Sequence, residues 1–339
     1  MTWDAKAQQP NSTVCGEFLA RANAFGRRIG HNAAVVIRRG GKSIALVAAA
    51  AAAIVLPVAS ASAATGPPTL DLSGPKSPGL LDKVTAVGNL PGATGGENVT
   101  VEVQASGNTV EKKQLSVGRD GNFSLPFVVD SCCNYQVSAS SGGQSSQPQR
   151  FTVRVPKHLS KGSISHLYNQ SLVDEGYYTG GHVSGKYNHG SQLATLAFRK
   201  VNNMARNYQY KPVIFEKLLQ GKGAFRPRYH SGHHVEVDIS RQVMALVNDD
   251  NVVSVFHVST GKPSTPTVRG TYHFYRKDPG YNSEGMYYSV YFIRGYATHG
   301  YNPVPMHEAA SHGCVRNPIP FSQYIYNWIN LGDAIHVYL

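Results

Sequence analysis

Short runs in which apolar and polar residues alternate dominate the chain from residue 67 to 155. Residues 99–103 read Val-Thr-Val-Glu-Val, 123–129 Phe-Ser-Leu-Pro-Phe-Val-Val and 151–155 Phe-Thr-Val-Arg-Val. A period of two sends every second side chain to one face, which predicts strands with one buried side. Turn-forming clusters separate the runs at Pro91-Gly92, Gly95-Gly96, Asp120-Gly121-Asn122 and residues 140–144. Short strands at this spacing predict an immunoglobulin-like β-sandwich over 67–155. No group of catalytic side chains falls within it, so a spacer or contact module is expected.

The period changes after residue 157. Leu193, Leu196, Ala197, Val201 and Met204 fall on one face of a helix, and a short helix is expected over 213–219. Residues 157–228 thus form a small helical module and its connector. Beyond His230 the pattern returns to strands at 235–239 and 243–247, a turn at 248–251, a return strand at 252–258 and another at 286–293. Phe321, Ile325, Trp328 and Ile329 mark a late helix, and 334–338 a final strand. The fold class is therefore multi-domain and mainly β. A chain of 339 residues can hold two or three domains, each expected to carry its own core.

Residues 1–64 are different again. An apolar run over 43–58 follows Arg38-Arg39 and Lys42 and precedes small residues 59–64, as in a secretory signal with its cleavage site. With the small-residue tail the stretch reaches about twenty-two residues, long enough for an uncleaved anchor. The charged region before it is long, which translation starting near Val35 or Val36 would explain. The net charge is +12. Two lysines and five arginines against Asp4 and Glu17 give the first 64 residues +5, which leaves +7 for the remainder. That excess suits an acidic polymer. Nucleic acid is disfavoured, because no run of basic residues interleaved with aromatics follows residue 65.

Candidate chemistry concentrates near the C-terminus, where His299-Gly300 is followed by Ser311-His312-Gly313-Cys314-Val315-Arg316. A thiol becomes a strong nucleophile beside a base, which His299 or His312 supplies, and beside positive charge, which Arg316 supplies. Flanking glycines let the backbone approach a carbonyl, and the N–H groups of Gly313 and Cys314 are expected to face a developing oxyanion. Two other readings compete. Zinc favours paired ligands at short spacings, yet Cys314 has no neighbouring cysteine, and His312 lies five residues after His307 where a metalloprotease helix needs four. The second is an inert buried cysteine. Of the other cysteines, Cys15 falls in the signal region, and Cys132-Cys133 could join only through a strained ring. Ser259-Thr260-Gly261-Lys262 lacks the earlier glycine of a phosphate-binding loop, so no nucleotide site is expected. Tyr272, Phe274, Tyr275, Tyr287, Tyr288, Tyr291 and Tyr296 read mainly as faces of a sheet, and His233 and His234 as solvated loop residues.

The pattern His-Gly, a short insert over 301–310, then Ser-His-Gly-Cys-x-Arg resembles the active-site signature of the bacterial L,D-transpeptidases, with the likeness spanning a catalytic domain at 232–339. The resemblance implies Cys314 as nucleophile, His299 as general base and the Gly300 carbonyl as the group orienting the imidazole. It places Ser311, His312, Gly313 and Arg316 around the oxyanion and substrate. It implies donor and acceptor peptidoglycan stem peptides as substrates, a thioester intermediate, a 3→3 cross-link, and neither metal nor organic cofactor. Discharge by water would make an L,D-carboxypeptidase, and discharge by a protein lysine an anchoring transferase; a non-catalytic wall-binding protein is the remaining alternative. Upstream, Gly185-x-Tyr187, Ser191, Ala194 and Phe198-Arg199 resemble a three-helix peptidoglycan-binding module, with Ser191 and Arg199 standing where threonine and glutamine are usual. These resemblances imply export to the bacterial cell envelope, periplasm or wall, with membrane contact only through an uncleaved N-terminal anchor.

Overall fold

The computed structural model describes residues 66–339. The expected signal or anchor of 1–64 lies outside the described residues, among which no helix is long and apolar enough to cross a membrane.

The alternating runs form a two-sheet sandwich. Strands β1 (Thr69–Ser73), β2 (Lys83–Asn89) and β5 (Asn122–Val128) make one antiparallel sheet. Strands β3 (Asn98–Ala105), β4 (Asn108–Ser116), β6 (Cys133–Ser141) and β7 (Gln144–Ser145) make the other, with β8 (Gln149–Val153) paired to β6. Val99, Val101 and Val103 of β3, with Tyr135 and Val137 of the neighbouring β6, share one core with Leu125 and Phe127 of β5 in the other sheet, as the period of two requires. The β3–β4 turn takes left-handed φ at both Ser106 (48°) and Gly107 (85°), the pairing whose twist matches a two-residue hairpin.

Three helices follow: α1 (Ser163–Asp174), α2 (His189–Val201) and α3 (Pro212–Leu219). Asn188 caps α2 by accepting the Ser191 N–H at 2.9 Å. The helices do not carry a core of their own, contrary to the expectation of self-contained domains. Tyr168, Leu172, Ala194, Ala197, Phe198, Ile214 and Phe215 join one apolar cluster that continues into the sandwich on one side and onto Val243, Ala245, Val247 and Val255 on the other.

Those last residues belong to the C-terminal region. Its first sheet has the order β11 (Asn251–His257), β10 (Val243–Asn248), β9 (His233–Asp238), β17 (Ala334–Tyr338), β12 (Gly270–His273), with β9 and β17 parallel. Its second holds β13 (Arg276–Tyr281), β14 (Tyr287–Ile293), β15 (Tyr296–Tyr301) and β16 (Val315–Pro318), followed by α4 (Ile319–Trp328). The unbroken apolar run Val-Met-Ala-Leu-Val of β10 is buried on both faces. Val243, Ala245 and Val247 meet the helices, whereas Met244 and Leu246 pack with Val290, Val315, Phe321 and Ile325 in a second cluster. His233 and His234 are not solvated loop residues but open β9. His233 stacks on Trp328 at 3.5 Å and pairs with Asp333 at 2.7 Å, while His234 is buried with Nδ1 2.9 Å from the Gly232 carbonyl.

Candidate active site

Two short strands bring the motif residues together. β15 pairs with β16 in parallel register, His299 opposite Arg316 and Thr298 opposite Val315. Cys314 stands one residue before β16, so it lies diagonal to His299, and the two share a face of the ladder with Arg316. Cys314 is followed directly by β16, and α4 begins only at Ile319. The opposite face is anchored inward. Asn317 donates to Thr298 Oγ1 at 3.1 Å and accepts from Ser322 Oγ of α4 at 2.7 Å.

His299 is buried, with Nδ1 2.9 Å from the Gly300 carbonyl. That contact requires the proton on Nδ1, which leaves Nε2 with its lone pair. Burial lowers the imidazole to about 4; the Gly300 carbonyl acts in the raising direction and the Arg316 charge in the lowering one. Gly300 is needed for close packing, since a Cβ there would meet Ser322 Oγ at 2.3 Å. The Cys314 thiol is half-buried, 3.9 Å from the Gly295 carbonyl. Burial pushes its pKa up, opposed by the Ala297 N–H and by Arg316. Both shifts favour the neutral form at pH 7, a thiol and an unprotonated imidazole.

The loop carrying Cys314 is fastened by hydroxyls. Ser311, fully buried, donates to the Cys314 carbonyl at 2.6 Å and accepts the Gly313 N–H at 3.0 Å. The Gly313 N–H is thus engaged within the loop rather than free for an oxyanion, because the buried serine needs a donor partner as well as an acceptor. Gly313 itself adopts φ +121°, and a Cβ would lie 2.4 Å from the Tyr296 ring, so no other residue fits. Thr267 donates to the Gly313 carbonyl at 2.8 Å and accepts the Gly261 N–H at 2.9 Å, while Thr265 donates to the Ser311 carbonyl at 3.0 Å. Ser259 exchanges two backbone hydrogen bonds with Arg316, at 3.0 and 2.9 Å, and its hydroxyl donates to the Glu308 carbonyl at 2.8 Å. Gln242 in turn donates to Thr260 Oγ1 at 2.7 Å and accepts the Thr260 N–H at 2.8 Å. The stretch Ser259-Thr260-Gly261-Lys262, for which no nucleotide site was expected, is the clasp of the loop that carries Cys314. Its signal was the density of hydroxyls over 259–267.

Arg316 lies 3.9 Å over the Tyr301 ring and donates to the Ala310 carbonyl at 3.3 Å. Among the described residues it has no acidic partner, and its buried Nε has no acceptor. His312 is exposed, with Nε2 3.4 Å from Lys262 Nζ. His307 and Glu308 contribute main-chain carbonyls to Arg206 and Ser259, at 2.7 and 2.8 Å. Among the described residues no three His, Cys, Asp or Glu side chains converge on a metal-sized site. Cys132, Cys133 and Cys314 are all free thiols.

This geometry meets a matching family. Residues 232–337 fit the family model of the L,D-transpeptidase catalytic domain (YkuD). Over these residues the chain is similar to an L,D-transpeptidase catalytic domain. A crystal structure of an L,D-transpeptidase from Xylanimonas cellulosilytica is 29% identical, with a TM-score of 0.50, over 55% of this chain and 98% of that one. The L,D-transpeptidase of Mycobacterium smegmatis is 15% identical with a TM-score of 0.29, over 80% of this chain and 100% of that one. The catalytic domain of the Enterococcus faecium L,D-transpeptidase is 23% identical with a TM-score of 0.29, over 32% and 98%. No curated protein sequence matches the chain.

Proposed function

We propose that this L,D-transpeptidase domain cross-links peptidoglycan stem peptides through a thioester on Cys314. The observation that carries the reading is the parallel pairing of β15 with β16, which sets Cys314 and a Nδ1-anchored His299 on one face. His299 Nε2 takes the thiol proton as Sγ attacks the carbonyl of the third stem residue. A positioned base of this kind contributes roughly 10²–10⁴-fold. The imidazolium then protonates the departing D-alanine amine, and the thioester remains. An acceptor amine attacks that thioester, His299 accepts its proton, and the thiol is restored with a 3→3 cross-link formed. The neutral resting pair fits this order, since proton transfer accompanies attack rather than preceding it. With the Gly313 N–H engaged, the Cys314 N–H is the backbone donor assigned to the oxyanion. Arg316, lacking an acidic partner, receives a stem carboxylate.

The remaining modules serve delivery to the wall. An open cleft of about 490 Å³ beside the helices is lined by Lys157, His158, Leu159, Tyr187, Tyr210, Lys211 and Pro212, a basic and aromatic surface suited to wall polymer. The sandwich acts as spacer, and the protein works in the cell envelope. Incubation with a disaccharide tetrapeptide tests the reading: a cross-linked dimer is expected, and tripeptide alone would mark a carboxypeptidase.

A further inference from the structure

Helix α2 buries two cationic side chains, Arg199 and Lys200, and Lys200 reaches the C-terminal region. Lys200, 2% exposed, places Nζ 3.1 Å from the Gln242 carbonyl, 3.0 Å from the Val258 carbonyl and 3.0 Å from His257 Nδ1. His257 is equally buried. An ammonium in such a place carries a desolvation penalty that a methionine of similar length would not. What it supplies instead is three directed hydrogen bonds, all to two segments that meet beneath the nucleophile loop. Gln242 sits in the turn between β9 and β10 with φ +58°; His257 ends β11 and Val258 follows it.

From these segments a continuous set of contacts reaches Cys314. The Gln242 carboxamide grips Thr260 through both its N–H and its hydroxyl. The Thr260 carbonyl accepts the Ser311 N–H at 2.9 Å, and the Lys262 N–H donates back to the Ser311 carbonyl at 3.0 Å. Val258 leads directly into Ser259, which is hydrogen-bonded to Arg316 in both directions. Ser311 then holds the Cys314 carbonyl and the Gly313 N–H. We infer that Lys200 is a positioning residue for acyl transfer, through which helix α2 holds the Ser259–Lys262 clasp and so the loop presenting Cys314. This inference rests on the acyl-transfer reading for its kinetic consequence, though its structural half stands apart from it. It makes the helical module part of the catalytic apparatus in addition to any wall contact.

The test uses the full chain with a carbapenem as acylating probe, measuring the maximal acylation rate and the half-saturating concentration separately. Lys200→Met is expected to lower the rate by about 10–100-fold, the scale of a displaced reacting group, with half-saturation changed by less than about threefold. Lys200→Gln, which still donates to the Val258 carbonyl, is expected to recover part of the loss. Amide hydrogen exchange over 308–316 is expected to quicken in Lys200→Met. A folded Lys200→Met variant with the parent rate, or one whose loss appears equally in half-saturation, would overturn the inference. Should Lys200→Met not fold, Thr260→Val decides: it cuts the far link only, and a parent rate there would also overturn it. If the parent takes up no carbapenem, acyl transfer itself fails, and unchanged exchange over 308–316 in Lys200→Met would refute the positioning role.

Discussion

Replacing Ser311 by alanine removes one hydroxyl and leaves two groups without their partner. The Cys314 carbonyl loses a donor at 2.6 Å and the Gly313 N–H an acceptor at 3.0 Å, in a place where the serine is 0% exposed. An unsatisfied buried group costs about 1–3 kcal/mol. The half-buried position of Cys314 lets water recover some of its share, and the lost volume is too small for a large cavity cost. The expected destabilisation is therefore about 2–3 kcal/mol. The loop leads into β16, whose Val315 belongs to the second core cluster, so the loss should register in global unfolding. Urea denaturation followed by Trp328 fluorescence measures it, since that indole stacks on His233 in the folded state. The acylation rate should fall by about 10–100-fold, because the thiol is no longer held in its attack geometry. A variant within about 0.5 kcal/mol of the parent, and equally fast, would refute this reasoning.

Three further outcomes are expected. His299 has a folded pKa of about 4 against an ordinary value of 6.5, so the unfolded chain binds more protons between these limits. The stability it supplies is complete above pH 6.5 and is lost as pH falls towards 4; parent and His299→Gln should diverge by about 2 kcal/mol between pH 7 and 5, and parallel urea curves at the two pH values would contradict the buried neutral imidazole. The raised Cys314 pKa predicts that alkylation of Cys314 by iodoacetamide, followed by peptide mass, is still climbing beyond the ordinary thiol range, whereas a plateau below pH 7 would reveal a resting ion pair. Arg316→Lys should weaken use of a stem-peptide donor by about tenfold, since lysine cannot grip a carboxylate with two parallel bonds; unchanged kinetics would limit Arg316 to its contacts with Tyr301 and Ala310.

The stretch 311–316 stood out as candidate chemistry because its reactive side chains are adjacent in sequence, and the sandwich strands were legible because a period of two survives in residues such as Val99, Val101 and Val103. Strand β10 was legible as a strand, yet its unbroken apolar run already signalled burial on both faces, hence a packing partner for the helices. β16 was not legible: Val-Arg-Asn-Pro has no alternation of its own and becomes a strand by pairing with β15, across an intervening loop. The hydroxyls of Ser259, Thr265 and Thr267 could not be assigned, because their partners at Glu308, Ser311 and Gly313 lie about fifty residues away in sequence. Burial of His234 and Lys200 was hidden for the same reason, since each is covered by segments distant along the chain. The hydrogen bond from the Gly313 N–H to Ser311 Oγ was not legible, because the sequence does not show which acceptor a neighbouring serine offers.

The most direct measurement is mass analysis of products after the full chain meets a purified disaccharide tetrapeptide. The expected product is a dimer lighter than two substrates by one D-alanine, formed by the parent and absent with Cys314→Ala. Release of D-alanine with tripeptide only would replace cross-linking by hydrolysis at the same thioester. Dimer formed equally by Cys314→Ala would contradict the thiol as nucleophile.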